Sequence, residues 1–446
     1  MAIIPDFLRP LVRPFAAAFT RPTFKRFTIL MASAVLTHGR HTVSNLLRTV
    51  RSLASGHPSS YHRVFSRRRW SLWTLARALT GLILRRFAPD ERVPLVGDDT
   101  VDEHRGETVY GKGRHRDPVR STKTYTAWRW GHKWVVLAIL VKFPFATRPW
   151  ALPVLVALYR TPQWGLQHHR RHKTPAHLLR QLVRALLRWS GGRRFVLAGD
   201  GGFGSHEMAA FAQRHRRRLT LISRLGPDAN LYEPPPPYGG RGRPRVKGAK
   251  LPAPKETVAA TSPTKLNVAW YGGGRRDVAV VSGMGQWYKS GEGLVPLLWV
   301  FVHDRTGTHR EDYFFSTDRG MTPREVIESF TGRWSIETTF QEMRAYVGLE
   351  TTRGRTEATV TRVAPCLFGL FSVVALLYER LRSRGHATAE VSWAGKSEPT
   401  FSDAITTVRR WLWVDWVLAH HGQGKAFSKL PRPLRETLLS ALAHAA

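Results

Sequence analysis

Cysteine is all but absent from this chain: Cys366 is the only one in 446 residues. That excludes an internal disulfide and a thiolate metal cage, and it fits a reducing compartment. Acidic residues are scarce, with 32 Asp and Glu against 69 Lys and Arg, a net charge of +37. Long apolar runs are missing too. The longest, residues 134–141 and 366–378, fall short of the ~20 residues a membrane span requires. The first 19 residues are interrupted by Pro5, Arg9, Pro10, Arg13 and Pro14, so no secretory signal is expected. These shortages point away from a secreted, disulfide-stapled or membrane protein, and a cytoplasmic location is expected.

What is abundant is positive charge on a foldable chain. Hydrophobic residues make up 42% and there are 16 Trp, enough for real cores. A basic excess of this size implies a polyanionic partner, because each phosphate neutralised releases a counterion. Nucleic acid is the expected partner.

The hydrophobic period divides the chain. Residues 1–90 read as helical. Leu72, Leu75, Ala76, Leu79, Leu82 and Ile83 recur at three and four residues and form one apolar face. Arg67, Arg68 and Arg69 sit just ahead of them. Short helices, a tight turn and an Arg cluster predict a helix-turn-helix-like DNA-binding region. From about 91 the pattern becomes strands followed by helices: strands near 93–96, 134–141, 152–158, 195–198 and 219–222, and helices over 174–188 and 206–212. That order predicts an α/β fold with acids at strand ends. Residues 226–292, rich in Pro and Gly and then strand-like over 265–271 and 277–281, read as a β-rich insertion. The α/β domain therefore takes 91–225 and 293–385, with strands near 297–302 and 313–316, after which Thr317 or Asp318 and Pro323 open a helix reaching about Val347. Residues 386–446 form a C-terminal helical region.

Cutting a phosphodiester without a covalent enzyme intermediate requires an activated water and a stabilised leaving oxyanion. Two hard divalent cations supply both. Mg2+ prefers a few carboxylates on separate rigid elements. Asp98 and Asp99 follow an apolar strand, and only one of them can face a site, since neighbouring strand side chains alternate. Asp200 closes the strand over 195–199. Glu337 lies mid-helix, and at about 100° per residue it shares a face with Phe330, Arg333, Trp334, Phe340 and Arg344, whereas Glu342 points away and is expected to be solvated. Guanidiniums beside a carboxylate suit a metal-bound phosphate. A surface ion-pair ladder between Arg333 and Glu337 is the plainer reading of the same spacing.

The pattern Phe330, Arg333, Glu337, Arg344 resembles the Tyr-Arg-Glu-Lys signature of bacterial insertion-sequence transposases with an Asp-Asp-Glu (DDE) site. Gly97-Asp98-Asp99-Thr100 resembles their first motif and Leu197-Ala198-Gly199-Asp200 their second. Phe330 replaces Tyr and Arg344 replaces Lys. The resemblance implies a ribonuclease H-like catalytic domain in the retroviral integrase superfamily. It implies Asp99, Asp200 and Glu337 as catalytic residues and ligands of two Mg2+, with Mn2+ able to substitute. It implies cleavage at element ends followed by strand transfer, by a homodimer on DNA. Trp334 stands where the family carries an aromatic that stacks on a displaced base. Arg333 and Arg344 would contact DNA, as would Arg243 and Arg245, which follow Gly242 like a minor-groove hook. Two other readings share the features: a DNA-binding regulator derived from a transposase, and a nuclease or resolvase without strand transfer.

Overall fold

The computed structural model describes residues 8–87, 92–117, 120–122, 124–240, 242–396 and 398–444. After short helical turns over Arg9–Val12 and Arg13–Ala18 come helices α1 (Arg21–Leu36), α2 (Val43–Thr49), α3 (Ser59–Ser66) and α4 (Leu72–Phe87). Phe19, Phe27, Phe65 and Trp70 stack against one another among them. Arg362 caps this aromatic cluster, with its guanidinium 5.0 Å from the Trp70 ring and donating to the Phe65 and Arg68 carbonyls. The boundary expected at residue 90 lies outside the described residues.

Strands follow: β1 (Arg92–Glu103), β2 (Gly113–Arg116), β3 (Trp128–Val141), β4 (Trp150–Tyr159), β5 (Arg194–Gly199), β6 (Leu219–Arg224), β7 (Leu231–Tyr232), β8 (Thr264–Ala269), β9 (Arg275–Lys289), β10 (Gly293–Asp304) and β11 (Asp312–Ser316). Helices α5 (Pro175–Trp189) and α6 (His206–Arg214) lie between β4, β5 and β6. After β11 come α7 (Pro323–Gly332), α8 (Ser335–Tyr346), α9 (Glu357–Arg382), α10 (Phe401–Trp411) and α11 (Arg432–Ala443).

Among the described residues, eleven strands form one mixed sheet, ordered β2-β3-β1-β5-β6-β11-β10-β9-β7, with β4 also on β3 and β8 on β9. β1, β5 and β6 run parallel and β3 is antiparallel to β1. The region read as an insertion is not a separate sheet. β11 pairs antiparallel with β6, and β9 and β10 form a long ladder beyond it. The expected division at 292/293 falls in the turn of that hairpin. Pairing between residues far apart in sequence is decided by which edges remain open, and a local pattern does not contain that.

Both faces of the sheet are covered, so its central strands are apolar throughout. α8 and α9 bond to β4 directly: Thr339 donates to the Ala151 carbonyl at 2.9 Å and Ser372 to the Pro153 carbonyl at 2.8 Å. α7 buries Val326, Ile327 and Phe330 in a smaller core over β6, β8, β10 and β11. α9 is long and apolar enough to cross a membrane, with mean hydropathy 2.0, yet 67% of that window is buried within the fold.

Local chemistry sets the helix starts. Thr174 caps α5 by accepting from the His177 N–H, ahead of Pro175. Thr322 caps α7 in a reciprocal box with Glu325, so the helix begins later than Thr317 or Asp318. Asp318 is used instead in a turn, accepting from the Gly320 N–H. The single helix expected up to Val347 is two. Arg333, Trp334, Ile336 and Glu337 each donate their backbone N–H to the residue three back, a tightened 3₁₀ joint between α7 and α8.

Candidate active site

Pleat direction sorts the two neighbouring aspartates of β1. A Cβ at Gly97 would stand 2.6 Å from the Leu179 side chain, so Gly97 faces α5. Side chains alternate along a strand, which puts Asp99 on that α5 face and Asp98 on the face under α7 and α8. Contacts agree. Asp99 pairs with Lys133 of β3 at 2.9 Å. Asp98 accepts from Arg333 at 2.6 Å.

Asp200 ends β5, in register one residue past the Gly97–Gly199 pair, so it shares the face of Asp98 on the neighbouring parallel strand. Its carboxylate accepts from the Gly202 N–H and its carbonyl from Ser223, two bonds that hold the strand exit in place. Glu337 lies in the first turn of α8. Arg333, four residues earlier at the joint, donates one guanidinium nitrogen to Asp98 and the other to Glu337 at 3.2 Å. One buried arginine, 8% exposed, therefore ties the strand acid to the helix acid.

The structure thus brings Asp98, Asp200, Glu337 and Arg333 together. Burial pushes the Asp98 carboxyl up to about 7, with the Asp200 and Asp99 charges adding to it and Arg333 opposing. Burial also raises Glu337, against Arg333, and Asp99, against Lys133. Asp98 and Glu337, held above their ordinary range on one face, have only Arg333 between them, and a hard divalent cation bound by oxygen ligands would lower both. The donor set fits such an ion.

Because the fold holds Asp98 above its free value near 4, it favours the protonated form. That stability is full at low pH and is lost as pH rises through about 7. The expected result is a melting temperature that falls from pH 5 to pH 8 in chelator, with Mg2+ raising it most at the upper end. A melting curve that ignores both pH and Mg2+ would contradict this.

Other expected site residues are placed as follows. Arg67, Arg68 and Arg69 are exposed in the turn between α3 and α4, and Arg243 and Arg245 are exposed in the loop after β7. Trp334 is 42% exposed beside the acids, with its ring edge-on to Tyr271 at 5.9 Å. Arg344 bonds Thr100 and pairs with Glu350 at 3.2 Å, bracing α8 on β1. Phe330 is fully buried and stacks on Phe314 at 4.2 Å, so this position is core and does not reach DNA. Glu342 corrects an expectation. It is not solvated but half-buried against Arg148, Trp150 and Phe371, and burial pushes it up to about 7. The helical wheel gave its direction away from the acids but not the elements packed on that side.

A second surface escaped the sequence reading. Trp128 and Trp130 at the start of β3 are 49% and 54% exposed, beside Tyr125 at 66%. Arg114 lies 4.6 Å from the Trp128 ring and Lys112 5.3 Å from that of Trp130. The signal available was the alternation of Trp and Arg over residues 128–130.

Residues 14–277 match the family described as DDE superfamily endonuclease. The match takes in β1, β5 and the acids at their ends, and stops before α8. No curated protein matches the sequence. Among solved structures, the chain is similar to a cryo-EM structure of the piggyBac transposase synaptic complex with hairpin DNA. Identity is 12%, coverage is 99% of this chain and 83% of that one, and the TM-score is 0.43. With more than half of its length matched, and two strand-end aspartates within the match, this chain belongs to the DDE superfamily of endonucleases.

Proposed function

We propose that the protein is a DNA transposase of a bacterial insertion sequence, cutting element ends and joining them to target DNA. The observation that carries this is Arg333 bonded at once to Asp98 and Glu337, on the face that also holds Asp200. The order β4-β3-β1-β5-β6 is read as a ribonuclease H-like core, extended by β7 to β11. Asp98, Asp200 and Glu337 would hold two Mg2+, or Mn2+. The pleat favours Asp98 over Asp99 as the β1 acid, with Lys133 holding Asp99 on the other face. Bound ions would supply an activated water and offset charge on the leaving oxygen. The chain's part is to fix three carboxylates on two strands and a helix, and to keep Glu337 oriented through Arg333. Trp334, exposed at the joint, would stack on an unpaired base.

Around this site, Arg67, Arg68 and Arg69 and the helical region behind them would contact duplex DNA, and Arg243 and Arg245 a minor groove. The active form is read as a homodimer on DNA, working at the nucleoid. Sedimentation with and without DNA tests the dimer. A strand-transfer assay with an end-bearing duplex and Mg2+ tests the function. Joined products are expected. Nicks without joining would make the protein a nuclease or resolvase, and neither product would make it a DNA-binding regulator.

Trp128 and Trp130 extend the reading to unpaired DNA. Removing either ring should weaken single-strand binding by ~1–3 kcal/mol, roughly 5- to 150-fold. Fluorescence anisotropy at constant salt measures this. Equal losses for a blunt duplex and a single strand would overturn base stacking there.

A further inference from the structure

We propose that Asp102, His104 and His132 form a binding site for a transition-metal cation of the zinc class, separate from the three acids. Asp102 and His132 are direct partners across β1 and β3, and His104 leaves β1 just beyond. The strands approach so closely here that a Cβ at Gly131 would stand 1.9 Å from the Asp102 carbonyl oxygen. All three side chains are buried, at 1%, 6% and 2% exposure. One ligand atom from each lies within 4.8 Å of the others.

The distances suit coordination. His104 Nε2 donates to Asp102 Oδ2 at 3.2 Å, so ion binding would require that proton to move to Nδ1, and His132 Nδ1 is 3.7 Å from Asp102 Oδ1. Ligands about 2.0–2.1 Å from a tetrahedral ion are separated by ~3.3 Å. The hydrogen bonds leave a lone pair pointing inward. His132 Nε2 lies 2.9 Å from the Tyr110 carbonyl, which can only accept, so Nε2 carries the proton. In the neutral ring Nδ1 is then an unprotonated nitrogen facing a carboxylate oxygen. Two lone pairs directed at each other repel unless a cation, a proton or a metal ion, lies between them.

The surroundings orient these ligands as outer partners do in metal sites. Asp102 Oδ1 accepts from the His132 backbone N–H and from the Trp134 indole N–H, both at 3.2 Å. Two imidazoles and one carboxylate favour zinc-class ions over Mg2+. Asp98 lies four residues back along β1, ~13 Å at the usual strand rise, so the two metal chemistries would not share ligands. His104 also lines the basic cleft with Lys112, Arg129 and Trp130. A bound ion would therefore clamp β1 to β3 behind the aromatic surface.

The test titrates the full-length, chelator-treated protein with Co2+ and then Zn2+, with Mg2+ in large excess throughout. One Co2+ per chain with the visible absorption of a four-coordinate site, displaced by Zn2+, is expected. Asp200→Asn should keep it. His104→Gln should lose it, and Trp134→Phe should weaken it ~10- to 100-fold by removing an outer partner. Should His104→Gln fail to fold, wild type and Trp134→Phe still decide. No saturable Co2+ site in the wild type, or unaltered binding in Trp134→Phe and folded His104→Gln, would overturn the proposal.

Discussion

Asp200→Asn is expected to lower cleavage of an end-bearing duplex by ~10³-fold or more, the loss of several kcal/mol of charge stabilisation, while duplex binding persists. The substitution keeps the shape and the bond from Gly202 and removes only the charge. Asp98→Asn should behave alike, since that carboxylate shares the face of Asp200 and Glu337. Asp99→Asn should be milder, within ~10-fold, because its side chain turns to Lys133 on the α5 face. Parallel gel assays of cleavage and binding measure all three. If Asp99→Asn is dead and Asp98→Asn active, the assignment of the β1 acid is reversed. If Asp200→Asn cuts normally, the proposed chemistry falls.

Arg333→Ala should be the most destabilising single change at the site. The guanidinium is buried and makes two charge-assisted bonds. Removing one partner of a buried ion pair costs ~3–5 kcal/mol. Asp98 can absorb part of that by taking up a proton, so the loss should be smaller at pH 5 than at pH 8. Arg333→Lys should not restore the protein, because an ammonium cannot reach both carboxylates in a planar fork. Combining Arg333→Ala with Asp98→Asn should cost less than the two singles together, since the pair shares one interaction. Denaturant unfolding at the two pH values reads these differences. Simple additivity would mean that Arg333 stabilises the fold through other contacts.

The sequence shows the individual elements well and their pairings poorly. The helices over 175–189 and 206–214 and the strands around Asp200 follow from apolar period, a capping Thr and a glycine exit, all local signals. Helical geometry alone separates Glu337, on the face of Arg333, from Glu342. Three things needed tertiary information. Choosing Asp98 required knowing that Gly97 packs on Leu179. The burial of Glu342 depends on Arg148 and Phe371, distant in sequence. The continuous sheet depends on β11 finding the edge of β6. The 3₁₀ joint at Arg333 and Trp334 follows Gly332, but a lone glycine inside a helical pattern does not by itself end a helix. The Asp102, His104 and His132 cluster is scattered over two strands, and only the Asp102–His132 register unites it.

The return of β11 to β6 has a consequence for how such chains can change. Asp200 and Glu337 are far apart along the sequence, but the link that sets their distance in space is short: β5, β6 and β11, joined by ladder bonds, and α7, which follows β11 and packs over them. The loop after β7 and the tip of the β9–β10 hairpin lie outside that link. Residues can be gained or lost in the loop over 233–250 or at that tip without displacing Glu337. The interval between the second and third acids is thus free to drift among relatives. A search that fixes it would overlook proteins whose acids stand in the same places.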